Sequence, residues 1–177
     1  MRKQRKKHLF RGILAGVAGG LVAAWTMNVF MAGPGKKLQE SLQTDEENRE
    51  EQQTQGEQED DATMKTADAV VNAVTGGQHL SHEGREKAGP VVHYSFGALM
   101  GGVYGGLAEY SPAVRSGFGT SFGSALFTGA DLVAIPAFRL GPSPTEEPAA
   151  KLASPFAAHL VYGVTTELVR RLVRSML

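Results

Sequence analysis

No cysteine occurs in the 177 residues, which excludes a disulfide framework, a thiolate metal site and a cysteine nucleophile. No glycine-rich loop follows a strand pattern, and no Gly-Lys-Ser/Thr run of the Walker type exists. Nucleotide binding is therefore without support. No Ser, His and Asp set occurs in a soluble setting, so a hydrolase is equally unsupported, and nothing points to nucleic acid. Net charge is also lacking, with 18 basic residues against 18 acidic ones. A mean hydropathy of −0.17 would suit one soluble domain if the composition were uniform.

It is not uniform. Thirteen acidic residues lie between Pro34 and Pro90, and six basic residues (Arg2, Lys3, Arg5, Lys6, Lys7, Arg11) open the chain. What remains is strongly apolar and carries most of the 22 glycines. Four stretches approach the roughly 20 apolar residues that a helix needs to cross a hydrocarbon core. They run from Phe10 to Ala32, Pro90 to Tyr110, Gly117 to Phe138 and Pro155 to Val173. The first resembles an anchor more than a cleaved leader, because Gly12 to Gly33 outlasts a typical signal core and Phe30-Met31-Ala32 is a poor cleavage site.

The expected fold class is all-α: a polytopic membrane protein with four transmembrane helices in two tandem hairpins. A basic tail (1–9) precedes a single membrane domain (10–177), whose polar insertion (34–88) lies outside the cytoplasm. The basic tail and Arg170, Arg171 and Arg174 place both termini in the cytoplasm by the positive-inside bias. In the insertion, Thr44 to Asp61 has hardly an apolar residue and is expected to be disordered or a solvated helix. Met64, Ala67, Val70, Val71 and Val74 then fall at helical spacing, which predicts an amphipathic helix near 62–75 between Asp61 and Gly76-Gly77.

Two internal matches suggest a duplication. His93, Phe96 and Gly97 correspond to His159, Tyr162 and Gly163 at an offset of 66, and Gly16, Gly20 and Asn28 to Gly119, Gly123 and Asp131 at an offset of 103. Equivalent spans cross in the same direction, as in parallel repeats. Gly16 and Gly20, then Gly97, Gly101 and Gly105, then Gly119 and Gly123, recur every four residues. They are expected to be helix-packing positions, where absent side chains let backbones approach.

The stretches Ala88-Gly89-Pro90-Val91-Val92-His93-Tyr94-Ser95-Phe96-Gly97 and His159 to Arg171 resemble the YagU-like inner-membrane proteins, a bacterial family of unknown function. The resemblance covers roughly Arg11 to Arg171 and leaves Thr44 to Asp61 as an insertion. It implies a small polytopic protein of the bacterial cytoplasmic membrane, and no reaction or catalytic residue.

Depth counting at about 1.5 Å per helical residue brings Asn28, His93, Asp131 and His159 to one level in the outer half of the bundle. Ionisable groups at such depth are costly and usually face one another or a cavity. This polar cluster is the candidate site: proton or small-ion handling is one reading, a divalent metal such as zinc another, and a hydrogen-bonded knot without ligand a third. No cofactor is expected. The expected partners are the lipid bilayer and a second copy of the chain. The leading expectation is a non-enzymatic membrane protein, and the alternative is a scaffold that binds partners through its acidic outer segment. An intramembrane enzyme would have only His and Asp to work with. His79 and His82 read as surface residues, Trp25 as a residue too deep for an interfacial belt, and Glu167 as a helix-end ion pair with Arg170 and Arg171 at i+3 and i+4. Glu109 reads in the same way.

Overall fold

The computed structural model describes residues 8–44, 49, 60–145 and 147–177, and most of the acidic run from Thr44 to Asp61 lies outside them. Among the described residues every regular element is helical and no strand occurs. Two compact units share the chain. Unit 1 comprises Met1–Asn28, Tyr94–Ala125 and His159–Leu177, and unit 2 comprises Val29–His93 and Leu126–Ala158. Three long helices contribute to both: α1 (Leu9–Phe30), α4 (His82–Tyr110) and α7 (Ala149–Met176).

In unit 1 the small residues face inward and the large ones outward. Gly12, Ala15, Gly16, Gly19, Gly20, Ala23 and Ala24 of α1 are buried, while Leu14, Leu21, Val22 and Trp25 are exposed. The buried stripe runs antiparallel to a second stripe on α4. A Cβ on Gly16 would strike the carbonyl oxygen of Gly101, one on Gly20 that of Gly97, and one on Gly105 that of Gly12. The same device joins α5 (Thr120–Phe127) to α7, where Gly123 meets the His159 carbonyl and Gly119 that of Gly163. Gly119 also has φ +93°, so this position requires glycine both for its backbone conformation and for its close approach.

The two seams are not in the register that the internal matches require. Offsets of 103 and 66 make Gly16 equivalent to Gly119 and Gly97 equivalent to Gly163. Gly16, however, meets Gly101 and Gly105, whereas Gly119 meets Gly163 and Glu167. The pairings differ by one helical turn, so the packing does not carry the equivalence of His93 with His159.

Helices α4 and α7 run parallel. The Tyr162 hydroxyl donates to the Gly97 carbonyl at 2.5 Å, and Tyr104 meets Glu167 further along the same pair. Phe122 of α5 lies beside both tyrosines, with centroid separations of 4.7 Å to Tyr104 and 6.5 Å to Tyr162.

The third apolar stretch is not one regular helix. A 3₁₀ segment (Pro112–Gly119) enters it, with Gly117 and Phe118 at φ +58° and +56°. After α5 the backbone widens into a π-helical segment (Thr128–Ala134) that carries Asp131 and ends in the short α6 (Ile135–Ala137). A second π-helical segment (Met31–Gly35) follows α1 and leads into α2 (Lys36–Leu42). Pro34 lies inside the Met31–Gly35 segment and Pro136 two residues past the end of the Thr128–Ala134 one. The proline ring crowds the carbonyl four residues earlier and supplies no N–H, and the wider turn accommodates both effects. Such widening is invisible in hydrophobic periodicity.

Unit 2 also contains α3 (Ala62–Thr75). Its start is fixed by Asp61, whose Oδ1 accepts from the N–H groups of Thr63 and Met64 at 2.8 and 2.9 Å, and its end by Gly76 at φ +73°. Ala67 is buried, and a Cβ on Gly89 would sit 3.1 Å from Met64 Cγ, so α3 leans on the first turns of α4. Asp61→Ala is expected to cost α3 about 1 kcal/mol, read as loss of helix-specific amide protection by hydrogen exchange. Elsewhere in this unit Phe127 packs edge-on to Phe156 with centroids 5.3 Å apart.

Candidate functional site

Among the described residues the most heavily buried charge lies on α4 and α7 in unit 1. Glu167 has no solvent exposure. Its Oε2 accepts from the Tyr104 hydroxyl at 2.9 Å and from Arg170 Nε at 2.7 Å, and its Oε1 accepts from Arg170 Nη2 at 3.0 Å and Arg171 Nε at 2.5 Å. The two arginines reach it because i+3 and i+4 share one helical face. Tyr104 is itself buried and lies under Arg170, whose guanidinium carbon is 5.9 Å from the ring centroid. Beyond this, Arg174 grips Glu109 of α4 through Nε at 2.7 Å and Nη2 at 3.1 Å, the bidentate geometry in which guanidinium binds carboxylate most strongly. The His8 N–H adds a bond of 3.2 Å to Glu109. A Cβ on Gly12 would collide with Glu109 Cγ, so the glycine of α1 leaves room for the acid. Arg11 Nη1 donates to the Leu177 carbonyl, tying α1 to the end of α7.

Two carboxylates thus hold three guanidinium groups, and every charged member except Arg171 is buried or nearly so. The expectation of ion pairing along α7 describes Arg170 and Arg171. It omits Tyr104 and gives Glu109 no partner on another helix, since those bonds span 63 and 65 residues.

The polar residues singled out by depth counting are placed as follows. Asn28 is exposed near the end of α1, and His159 is buried on α7 at 6% exposure; both belong to unit 1. His93 on α4 and Asp131 in the π-helical segment are half-buried and belong to unit 2. Among the described residues no group of three or more His, Asp or Glu side chains is arranged to hold a metal ion.

His79 is exposed and His82 partly so, as surface residues, and each is held by an aspartate. His79 Nδ1 lies 2.7 Å from Asp68 Oδ2 and its Nε2 lies 3.1 Å from Asn72 Nδ2, while His82 Nδ1 lies 3.0 Å from Asp60 Oδ1. Arg85 completes the second pair, with Nε 2.5 Å from Asp60. The His79 bond, with the Leu80 N–H at 2.6 Å, holds the Asp68 carboxyl below its usual pKa. A carboxyl depressed on folding stabilises the fold above its unfolded pKa, and that contribution is lost as pH falls through the folded value. The turn after α3 is therefore expected to stay closed at neutral pH and to loosen only in acid below the ordinary aspartate range. A fall in the Leu80 amide protection factor on acidification, absent in Asp68→Asn, would register this.

Among the described residues the architecture is all-helical, with two helical stretches long and apolar enough to cross a membrane, Leu9–Leu42 and Pro112–Ala137. Residues 66–168 match the family described as a protein of unknown function, DUF1440, and the chain belongs to that family. The match takes in Tyr104, Glu109 and Glu167 and ends before Arg170. No curated protein and no solved structure matches the chain.

Proposed function

We propose that the chain is a non-enzymatic, YagU-like protein of the bacterial inner membrane, crossing it four times with both termini in the cytoplasm. The observation that carries this reading is the inverted distribution of side chains. Glycine, alanine, tyrosine and charge occupy the interior, while Phe96, Leu99, Val103 and Leu107 of α4 and Val164, Leu168 and Leu172 of α7 are exposed. Each set follows one helical face. A soluble protein rarely exposes apolar surface on that scale, and lipid is the solvent that suits it. Several polar residues that lower the overall hydropathy of α4 and α7 are buried, namely Tyr104, His159, Tyr162, Glu167, Arg170 and Arg174.

Single cysteines test the topology, because the chain has none of its own. An impermeant thiol reagent applied to intact cells whose outer membrane has been opened should label Gln52→Cys and spare Gln4→Cys and Ser175→Cys. The reverse pattern rejects the orientation, and extraction of the protein by alkaline carbonate rejects the membrane-spanning reading.

Within this frame Asn28 and His159 in unit 1, and His93 and Asp131 in unit 2, are each proposed to handle protons or small ions. A buried histidine and an aspartate on a π-helical segment support this, since such segments recur at functional sites. Proteoliposomes with a trapped pH dye should dissipate an imposed proton gradient, and Asp131→Asn should abolish this while the protein stays folded. Dissipation no faster than in empty liposomes removes the proposal.

A further inference from the structure

The charges around Glu167 do not balance: one carboxylate meets Arg170 and Arg171. Arg170 is buried, whereas the Arg171 side chain is 51% exposed, so the surplus positive charge is presented to the surroundings by Arg171. Only its Nε is committed to Glu167, and a guanidinium has further N–H donors to offer. The group is nevertheless fixed in place. Its carbon lies 4.4 Å from the centroid of Phe118, a residue 38% exposed and held at φ +56°, a conformation that bulky side chains seldom adopt. The segment carrying Phe118, Pro112–Gly119, includes Arg115 and no acidic residue.

We propose that Arg171, seated on Phe118, binds the headgroup of an anionic phospholipid at the cytoplasmic end of α7. The surface that adjoins the charge favours a lipid over free phosphate. Val164, Leu168 and Leu172 form an exposed apolar stripe on α7, and Arg171 lies at i+3 from Leu168, at the boundary end of that stripe. A phosphate at the guanidinium leaves its acyl chains to run along those residues. Basic side chains between helices on the cytoplasmic side are the usual anchors for such headgroups, and arginine suits a phosphate because its donors form a rigid fork.

This inference rests on the membrane-spanning reading, and the test separates the two. The purified full chain in neutral detergent is titrated with dioctanoyl phosphatidylglycerol, dioctanoyl phosphatidylcholine or inorganic phosphate, with thermal stability as the readout. The wild type should be stabilised by phosphatidylglycerol alone. Arg171→Gln should weaken that effect about fivefold, the change expected for one basic side chain at an anionic surface. Arg171→Lys preserves the Glu167 ion pair and so guards against a folding defect; it should fall between the two. Equal stabilisation by phosphatidylcholine or by inorganic phosphate, or an unchanged response in Arg171→Gln, overturns the lipid site while leaving four spans intact. Carbonate extraction of the wild type from membranes removes both.

Discussion

Gly101→Leu is expected to cost about 3 kcal/mol, with thermal unfolding in mild detergent as the measure. The seam between α1 and α4 offers no flexible side chain that could move aside. A Cβ alone at position 101 would meet the Gly16 carbonyl oxygen, the Gly20 Cα at 2.6 Å and the Gly20 nitrogen at 2.8 Å. All three are backbone atoms, so the helices themselves must separate. Separation forfeits the close contact that holds helices together where lipid supplies no hydrophobic drive. It also moves Gly12 from Glu109 and Ala24 from Gly97, because one stripe carries all these contacts. Gly129→Ala is the matched control: nothing lies within 4 Å of its added Cβ, and the change should be neutral or slightly stabilising. If Gly101→Leu unfolds with the wild type, the seam has no energetic weight.

The seam was legible in the sequence because it depends on spacing within each helix: glycines four apart mark a face whatever that face meets. The bounds of α3 were legible for a related reason, since Asp61 and Gly76 act on their own backbone. The break-up of the third apolar stretch was not. Pro136 alters hydrogen bonding upstream without disturbing the apolar pattern, so a π-helical turn and a continuous helix read alike. The site divides in the same way. Arg170 and Arg171 reach Glu167 through local spacing, whereas Tyr104 and the pairing of Glu109 with Arg174 depend on the parallel alignment of α4 and α7, which no single helix encodes. Depth counting, for its part, takes no account of which face a residue occupies: it set Asn28 level with His159, although one is exposed and the other buried.

Glu167→Gln should destabilise the protein by about 3–5 kcal/mol, the cost of leaving a buried charge without its partner. The substitution preserves shape and one acceptor oxygen, so packing changes little. What it removes is the negative charge that Arg170, 4% exposed, requires in order to stay out of water. Tyr104→Phe removes only one hydroxyl from the same carboxylate and should cost about 1 kcal/mol. The exposed pair of Glu83 and Lys87 provides the outer comparison, since Glu83→Gln should change stability by less than about 0.5 kcal/mol. Combining Glu167→Gln with Arg170→Gln separates charge from packing. The double variant no longer buries an uncompensated guanidinium and should recover much of the loss, so that its destabilisation is well below the sum of the single losses in the double-mutant cycle. Strictly additive losses would mean that Arg170 finds its compensation elsewhere, and that Glu167 stabilises the helices through shape alone.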